Sequence, residues 1–280
     1  MRTISSKKIR EEVKALCIDA NLYLAKNVRQ ALERSLKKER SSTGKTLIKN
    51  LIENSKIAAK EKTPICQDTG FTVVLVELGQ EVKITGGSLN KAIHDGVKEG
   101  YTKGYLRKSI VADPFKRKNT GNNTPAVIHT EIVPGNKLKL TLMAKGGGCE
   151  NVSVAKVLKP TEGTEGVEKF VLETVEAAGG NPCPPIIVGV GIGGTLDKAT
   201  LLAKKALVRD IEKRNKDKSM AKFEKKLLGK INDLGIGPGG LGGRITALAV
   251  NIETFPCHIA SLPVAVNIDC HAHRVKQAVI

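Results

Sequence analysis

Residues 141–150, TLMAKGGGCE, constrain the fold of this chain more than any other stretch. An apolar run typical of a buried strand stops at Lys145, and three glycines then precede Cys149. Glycine loses more conformational freedom on folding than any other residue, so three in a row are costly unless the backbone must be bare there. The stretch predicts a strand that ends in a tight loop, with a thiol placed at the end of that strand.

Two further cysteines stand in loops of the same kind. Cys66 lies in KTPICQDTG before the apolar run FTVVLVELG, and Cys183 lies in GGNPCPP before PPIIVGVGI. A single cysteine of this sort is ordinary, because free cysteine often behaves as a small interior hydrophobe. Folded α/β proteins, however, collect the residues of a site in loops at strand ends. Three cysteines in polar loops bracketed by Gly or Pro therefore indicate a metal centre.

The spacing of these cysteines leaves the metal open. An iron–sulfur cluster commonly takes four Cys ligands, and a cube held by only three leaves one iron free to act as a Lewis acid. Three Cys with one His also make a zinc site, so both alternatives stand on spacing alone. No CxxC occurs in the chain, which excludes zinc-ribbon and thioredoxin-like motifs.

Polar residues near these loops suggest what the centre does. Asp68 follows Cys66 and Gln67, where a carboxylate can serve as a general acid or base; before Thr-Gly it can equally cap a turn. Arg107 lies outside the predicted helices and is suited to clamp a carboxylate through two hydrogen bonds. Residues 120–125, TGNNTP, offer backbone N–H groups to an anion or form an ordinary turn.

A glycine motif competes with this interpretation. Residues 189–194, GVGIGG, match the dinucleotide-binding pattern G-x-G-x-x-G after an apolar run, with Asp210 and Glu212 downstream as candidate ribose acids. Those acids fall inside a basic helical stretch, not at the end of a second strand as that fold requires. Residues 235–240, GIGPGG, repeat the pattern with no strand before them. The sequence therefore favours a structural role for both.

The remaining cysteines and histidines carry weaker signals. Cys17 lies on an amphipathic helix and is predicted to be a core residue. His94 and His129 lie on a predicted helix and strand, as ordinary core or surface imidazoles do. A second metal site is conceivable near the end of the chain, where Cys257, His258, Cys270, His271 and His273 lie close in sequence.

The net charge of +18 raises the question of nucleic-acid binding. Aromatic residues make up only 3% of the chain and Trp is absent, so little surface is available for base stacking. Much of the excess charge lies in residues 198–230, whose pattern is typical of a solvated helix. The charge is therefore interpreted as surface charge, with binding of RNA kept as an alternative hypothesis.

The N-terminal residues and the cysteines bear on the cellular compartment. The N-terminal stretch has no apolar segment of a secretion signal, and no window approaches a membrane span. The prediction is a cytoplasmic protein whose six cysteines form no disulfide framework.

Apolar periodicity predicts a mixed α/β (α+β) fold. One or two helices are expected over residues 7–36 and further helices over 45–60, 88–105 and 164–178. Strands are expected over FTVVLVELG, AVIHTEIV, KLKLTLMA, PPIIVGVGI, ITALAVNIET and HIASLPVAVNI. Pro134-Gly135-Asn136 predicts a hairpin between AVIHTEIV and KLKLTLMA. The mixed order argues against a doubly wound sheet. The expected architecture is one domain, residues 1–280, with mixed β-sheets surrounded by helices and the cysteine loops at strand ends.

Seven motifs in order resemble one family, the class I iron–sulfur-dependent fumarate hydratases, in the alpha-subunit form shared with L-tartrate dehydratase. They extend over essentially the whole chain: PICQDTG, the LRKS to DP stretch, NTGNNTPAVIH, KGGGCENVS, NPCPPIIVGVGIGGT, GIGPGGLGG and CHIASLPVAVN followed by CHAHR.

The resemblance implies a 4Fe–4S cluster held by Cys66, Cys149 and Cys183. It also implies substrate contacts from Gln67, Arg107 and a backbone amide near Gly121, and it makes Asp68 the acid that protonates the departing hydroxyl. The implied reaction is the reversible hydration of fumarate to L-malate, a step of the tricarboxylic acid cycle. The alternative is dehydration of L-tartrate to oxaloacetate.

The resemblance also implies a partner. Single-chain members of the family continue into a second domain that carries further Arg, Lys and Thr residues, among them the expected base. Those residues are expected here on a separate beta subunit, in a heterotetramer of two alpha and two beta chains that binds no nucleic acid and no membrane. A zinc or redox-sensing cysteine protein remains the more remote alternative.

Overall fold

The computed structural model describes residues 1–280, which divide into two compact units. Unit 1 comprises Met1–Leu24, Ser55–Gly147 and Arg274–Ile280, and unit 2 comprises Ala25–Asn54 and Gly148–His273. The assignment of all 280 residues to a single domain stays a prediction.

Helices and strands alternate irregularly along the chain. The helices are α1 (Ser6–Leu22), α2 (Lys26–Lys38), α3 (Ser42–Glu61), α4 (Leu89–Lys103), α5 (Gly147–Glu150), α6 (Gly163–Ala178), α7 (Leu196–Val208) and α8 (Lys218–Asp233). The strands are β1 (Arg2–Ser5), β2 (Phe71–Gly79), β3 (Val82–Thr85), β4 (Val127–Val133), β5 (Leu138–Lys145), β6 (Val154–Leu158), β7 (Ile186–Gly193), β8 (Ala247–Phe255), β9 (Leu262–Asp269) and β10 (Val275–Val279).

Unit 1 is built on a four-stranded mixed sheet with the order β10-β5-β2-β4. Strand β2 lies inside it, parallel to β4 and antiparallel to β5. Alternate residues of β2 and β5, such as Val74 and Leu142, are fully buried in a core shared with α1 and α4. This alternation follows from the two-residue period of a strand. Ser88 caps the start of α4 by accepting a hydrogen bond from the N–H of Lys91.

Unit 2 is built on a second mixed sheet with the order β6-β9-β7-β8. Helix α7 packs closely on β7, where the strand carries glycines. A Cβ at Gly189 or Gly191 would overlap the carbonyl oxygens of Ala203 and Ala199 on that helix. The two glycines therefore let a helix lie directly against a strand. Residues of α6 and α8, including Phe170 and Leu227, complete the core on this sheet.

The mixed α+β class is confirmed, and two details of the prediction are wrong. Strands β4 and β5 do not form a hairpin, because β2 pairs with both and lies between them. The N–H of Gly79 at the end of β2 donates to Lys137 O, so β2 occupies the position that a hairpin partner would take. The basic helix expected over 198–230 is two helices, α7 and α8, with a break after Val208.

None of the helices combines the length and the apolar character that crossing a membrane requires.

Candidate functional site

The loop that carries Cys66 lies in unit 1 between α3 and β2. The thiol of Cys66 is half-buried, and its Sγ lies 3.3 Å from Oε1 of the exposed Gln67. The backbone that follows Gln67 is fixed by the protein core, because the buried Tyr101 hydroxyl donates to the carbonyl of Thr69 at 2.8 Å. Burial raises the pKa of Tyr101, so this hydroxyl stays a donor. The loop is thus anchored at its base while Cys66 and Gln67 reach solvent.

Both carboxylate oxygens of Asp68 accept backbone hydrogen bonds. Oδ1 accepts from the N–H of Gly70 at 3.0 Å, so Asp68 does cap a turn. Oδ2 accepts from the N–H of Gly147 at 2.8 Å. Gly147 precedes Cys149 by two residues in the chain. The carboxylate of Asp68 is therefore held in one orientation beside the glycine run of residues 146–148.

Arg274 is the last residue of the CHAHR motif, and the sequence assigned it no role in this site. Its side chain is buried, only 3% exposed, and its Nη1 donates to the carbonyl oxygen of Asp68. Its own carbonyl accepts from the N–H of Ala144 at 3.0 Å. Arg274 therefore ties the Asp68 turn to the end of β5.

The first glycine of the run, Gly146, lies against the side chains of Arg274 and Asp68. A Cβ at Gly146 would lie 3.1 Å from Nη2 of Arg274 and 3.3 Å from Oδ2 of Asp68. A Cβ at Gly147 or at the exposed Gly148 would meet only one atom within 4 Å, at 3.8 and 3.4 Å. None of the three has a positive φ. Crowding by Arg274 and Asp68 therefore accounts for glycine at 146, while Gly147 and Gly148 are required neither by contacts within this chain nor by their backbone conformation.

Asn123 joins the other predicted site segments of unit 1 to this loop. It is fully buried in the left-handed region, with a φ of 60°. Its Oδ1 accepts from the N–H of Ser109 at 2.7 Å, and its Nδ2 donates to Gly70 O at 3.2 Å. A side chain with both a donor and an acceptor is needed to link two backbones in this way. Asn123 is thus the residue of TGNNTP that holds the segment in place.

Arg107 and Gly121 are placed by the same network. The carbonyl of Arg107 accepts from Thr69 Oγ1 at 2.8 Å, while the arginine itself is exposed. Unit 1 therefore brings Arg107 beside the Cys66 loop. The N–H of Gly121 donates to Asn119 Oδ1 at 2.7 Å, so this amide already has a partner. A substrate contact from the amide of Gly121 stays a prediction.

In unit 2, the loops of Cys149 and Cys183 lie together. Cys149 is buried on the short helix α5, and its Sγ lies 3.6 Å from the carbonyl oxygen of Pro182. The following residue, Glu150, is held by an ion pair with Lys204 and by the amide of Asn267 at 3.1 Å. These contacts fix the short helix that carries Cys149.

Cys183 has an unusual backbone. It is exposed and has a φ of 53°, in the left-handed region that non-glycine residues rarely adopt. A glycine would adopt this conformation at lower cost, by about 1 kcal/mol. Residues held in such conformations concentrate at functional sites. The observation favours a requirement for the thiol itself.

The loop of Cys183 is held by the second glycine motif and by a histidine. The N–H of Gly239 donates to Pro184 O at 2.8 Å, and a Cβ at Gly240 would lie 2.6 Å from Gly180 Cα. His271 Nδ1 is hydrogen-bonded to the carbonyl of Cys183 at 2.9 Å. GIGPGG therefore serves as a backbone support for the cysteine loop.

Neither glycine motif has the surroundings of a dinucleotide site. Gly189 and Gly191 make room for α7, as described above. Asp210, a candidate ribose acid, accepts a hydrogen bond from Asn27 Nδ2 at 2.7 Å, and Glu212 forms an ion pair with Arg34. Both acids are engaged by residues of α2, so the structural interpretation of the motif is supported.

A further group of metal-type ligands lies around Cys149. The Sγ atoms of Cys149 and Cys270 and a carboxylate oxygen of Asp269 lie within 4.8 Å of one another, and all three residues are buried. Asp269 Oδ2 is hydrogen-bonded to His273 Nδ1 at 2.6 Å. Of the cysteines and histidines that lie close in sequence near the end of the chain, Cys270 and His273 thus belong to this group of neighbouring side chains. The exposed Cys257 bonds instead to the carbonyl of Ser261 in its own loop, at 3.2 Å.

Cys17 provides the contrast expected of a core cysteine. It is fully buried in unit 1, and burial raises the pKa of its thiol to about 12. A thiol with so high a pKa is unreactive and a poor metal ligand, because the thiolate is the reactive form. The prediction that Cys17 is a core residue is confirmed.

Comparison with known proteins places the chain in a family. The model of the fumarate hydratase (Fumerase) family matches residues 10–279. The chain therefore belongs to the fumarate hydratase family.

Its relatives are named as subunits. A putative L(+)-tartrate dehydratase subunit alpha of Methanocaldococcus jannaschii is 46% identical over 273 residues, 95% of each chain. The L(+)-tartrate dehydratase subunit alpha of Escherichia coli K12 is 37% identical over 240 residues, 84% of this chain and 78% of the relative. That of Shigella sonnei matches to the same extent. The chain is a hydro-lyase chain of the alpha-subunit type.

Proposed function

We propose that this chain is the alpha subunit of an iron–sulfur-dependent dehydratase of a 2-hydroxy dicarboxylate. The observation that carries the proposal is the Asp68 carboxylate, fixed by the N–H groups of Gly70 and Gly147 in the loop that follows Cys66. A cysteine and an oriented carboxylate in one loop are what metal-assisted loss of water requires.

We propose that Cys66, Cys149 and Cys183 hold a 4Fe–4S cluster. The donor set fits this group: none of the three cysteines is in a disulfide, and two of the three reach solvent at least in part. Gly147 and Gly148 leave space that a side chain would fill. Bound by three thiolates, a cluster supplies one iron without a protein ligand, which is a Lewis acid for a substrate hydroxyl.

The chain's own residues would then perform the remaining tasks. Arg107 would bind a substrate carboxylate, for which its exposed guanidinium beside the Cys66 loop is suited. Gln67 would contact the substrate next to Cys66. Asp68 would deliver a proton to the departing hydroxyl, and Arg274, bonded to its carbonyl, would keep the loop in register. The amide near Gly121 completes the predicted contacts.

Two substrates have specific support. The relatives are named L(+)-tartrate dehydratase alpha subunits, which favours conversion of L-tartrate to oxaloacetate. The family is described as fumarate hydratase, which supports the sequence-derived expectation of fumarate and L-malate. L-malate and L-tartrate differ by one hydroxyl, and a site that binds this group rejects the analogue lacking it. We propose L-tartrate first and fumarate second.

The proposal includes a partner. The relatives are named as alpha subunits, so a beta subunit would complete the active site, in the predicted heterotetramer. A cytoplasmic location belongs to the same proposal. Activity is expected only from the two subunits together, because the base is predicted on the beta chain.

The test is an anaerobic assay of the co-expressed subunits on L-tartrate, L-malate and fumarate. Asp68→Asn is expected to lower kcat by about 10²- to 10⁴-fold, the usual contribution of a positioned acid. Asp210→Asn, a surface carboxylate bonded to Asn27, is the matched control and should be close to wild type. Unchanged turnover in Asp68→Asn would remove its acid role. Absence of turnover on all three acids by the iron-loaded complex would overturn the proposed function.

A further inference from the structure

Unit 2 contains a cavity of about 680 Å³ to which none of the cysteine loops contributes. It is formed by the segment that follows α7, by one face of α8 and by the first residues of β8. Its floor is apolar, with the buried Val250 and the half-buried Leu228 and Leu248. Cavities of roughly 300–1,000 Å³ with a largely apolar lining are typical of small-molecule sites. We refer to it as the basic cavity, because five exposed basic side chains also line it: Lys213, Arg214, Lys218, Lys222 and Lys225.

Two acids line the basic cavity, and both are engaged by cations that do not line it. Glu212 forms an ion pair with Arg34 of α2. Glu224 is buried, forms an ion pair with Arg209 and accepts a hydrogen bond from the N–H of Ile252 at 2.7 Å. These two carboxylates therefore do not balance the basic side chains of the cavity.

Three of the basic residues stand on one face of α8. Lys218, Lys222 and Lys225 have the spacing i, i+4 and i+7, which makes their side chains neighbours on the helix surface. Like charges at this spacing destabilise a helix. Lys218 lies in addition in the first turn, where the helix dipole disfavours a cation. The arrangement costs stability unless an anion offsets it.

The other helical lysines of the chain show what the usual arrangement is. Several are paired with an acid four residues away, as in Lys8–Glu12, Lys91–Asp95 and Lys169–Glu173.

On α8 itself, Lys226 and Lys230 face away from the cavity and share Glu168 of α6. The ion pairs of α8 are formed by these two lysines and by Glu224. The lysines that line the cavity are thus the ones on this helix that lack an acidic partner.

The distances along the helix indicate what kind of anion fits. Seven residues separate Lys218 from Lys225, which corresponds to roughly 10 Å along the axis. A single phosphate group cannot contact side chains spread over this length, whereas a chain of phosphates can. Lysine binds phosphate as a point charge, and Arg214 adds a guanidinium suited to bidentate contact. The apolar floor provides space for an organic group attached to the phosphates.

We propose that the basic cavity binds a nucleoside polyphosphate. Its phosphates contact Lys218, Lys222, Lys225 and Arg214, and its nucleoside lies on the floor formed around Leu228 and Leu248. The site goes beyond the proposed function, because binding requires neither a cluster nor any residue of the cysteine loops. A small molecule is favoured over RNA, since no aromatic side chain lines the cavity and binding of single strands usually depends on base stacking.

The experiment is isothermal titration calorimetry of the full chain with ATP, at about 0.15 M salt so that exposed charges are screened. One ATP per chain is expected. Lys222→Gln and Lys225→Gln should each weaken binding by about 10- to 100-fold, as expected for the loss of a hydrogen bond between charged groups. Lys226→Gln is the matched control. It removes the same charge from the next position of α8, but its ammonium is paired with Glu168, so its affinity for ATP should equal that of the wild type.

Two further measurements separate the contributions to binding. Lys225→Arg retains the charge and should retain most of the affinity, and thermal unfolding without ATP shows whether each variant folds. Inorganic tripolyphosphate should depend on the same lysines but bind more weakly than ATP. Equal affinities for ATP and tripolyphosphate would refute the placement of the nucleoside on the apolar floor.

The site would be overturned if the chain did not bind ATP, or if Lys225→Gln and Lys226→Gln lost the same affinity. Binding of single-stranded RNA through Lys222 and Lys225, by a chain that does not bind ATP, would assign these lysines to an RNA surface instead. Loss of ATP binding in the co-expressed complex of both subunits would show that a partner covers the cavity. ATP binding by a chain that never takes up iron would support the site while refuting the proposed function.

Discussion

Glu39 joins the end of helix α2 to the glycine-rich segment before β8, and both belong to unit 2. Its carboxylate is 2% exposed. Oε1 accepts from the N–H groups of Arg40 and Ser41 at 2.7 and 2.9 Å, and Oε2 accepts from that of Ile245 at 2.8 Å. The N–H of Arg244 lies 3.0 Å from both oxygens. A Cβ at Gly243 would lie 2.9 Å from this carboxylate, which is why glycine is required there.

Glu39→Gln tests how much this carboxylate stabilises unit 2. The amide keeps one oxygen but turns an NH₂ group toward a backbone N–H, so at least one bond to a charged acceptor is replaced by two facing donors. A hydrogen bond to a charged group contributes about 1.5–3 kcal/mol. We expect a loss of about 2–3 kcal/mol, or roughly 4–12 °C in the unfolding midpoint at the usual sensitivity of a domain this size.

The pH dependence of the same variant has a definite sign. Burial by itself raises the pKa of Glu39, but the four backbone N–H groups outweigh it and hold the pKa below the ordinary 4.5. A lowered folded pKa means that the carboxylate contributes stability above about pH 4.5 and loses that contribution as pH falls through the folded pKa. The difference in stability between wild type and Glu39→Gln should therefore shrink on acidification.

The measurement is urea unfolding of both proteins between neutral and acidic pH. Glu33→Gln is the control, because Glu33 lies on α2, the helix that Glu39 follows, in an exposed pair with Arg29. Such pairs contribute about 0–1 kcal/mol. If Glu39→Gln and Glu33→Gln lose the same stability, or if the Glu39 effect grows on acidification, the account of this carboxylate is wrong.

Three further predictions concern the glycines and a core cysteine. Gly191→Ala should destabilise the chain by about 1–3 kcal/mol in urea unfolding, because its Cβ overlaps α7, and should leave the rates of thiol labelling in the native state unchanged. Gly146→Ala should lower the unfolding midpoint more than Gly148→Ala, since only the former crowds Arg274 and Asp68. Equal midpoints for the two alanine variants would contradict this explanation of Gly146. Gly148→Val should lower the iron content of the anaerobic protein before it affects the unfolding midpoint. Native alkylation at pH 8 followed by mass spectrometry should label the exposed Cys257 and leave Cys17 unmodified, because the pKa of the Cys17 thiol is about 12; labelling of both at similar rates would show that Cys17 is not held in the core.

Local sequence patterns predicted the elements better than their pairing. FTVVLVELG coincides with β2 (Phe71–Gly79), because a short apolar run that is rich in β-branched residues and flanked by glycines favours a buried strand over a helix. The turn at Pro134-Gly135-Asn136 gave no sign that β2 would lie between β4 and β5. Strand pairing is a long-range property, and a turn signal reports only the nearest residues.

Some residues of the candidate site could be identified from local sequence, and others could not. Cys183 and Asp68 stood out because glycines and prolines mark their loops. Arg274 did not, because its role depends on the carbonyl of Asp68, 206 residues away in the chain. Asn123 had a partial signal in TGNNTP, for which the sequence left open both anion binding and an ordinary turn. Its observed contacts hold the loop of Gly70. A residue that supports a site through backbone groups far away in the chain cannot be identified from its neighbours in sequence.

The most direct test of the central claim is the iron and acid-labile sulfide content of the anaerobically purified chain and its cysteine variants. We predict iron and sulfide in equal amounts in the wild type, and the loss of most of both in Cys66→Ser, Cys149→Ser and Cys183→Ser. Cys257→Ser should retain the wild-type content. Full iron and sulfide in any of the first three variants, or none in the wild type supplied with both, would contradict the account.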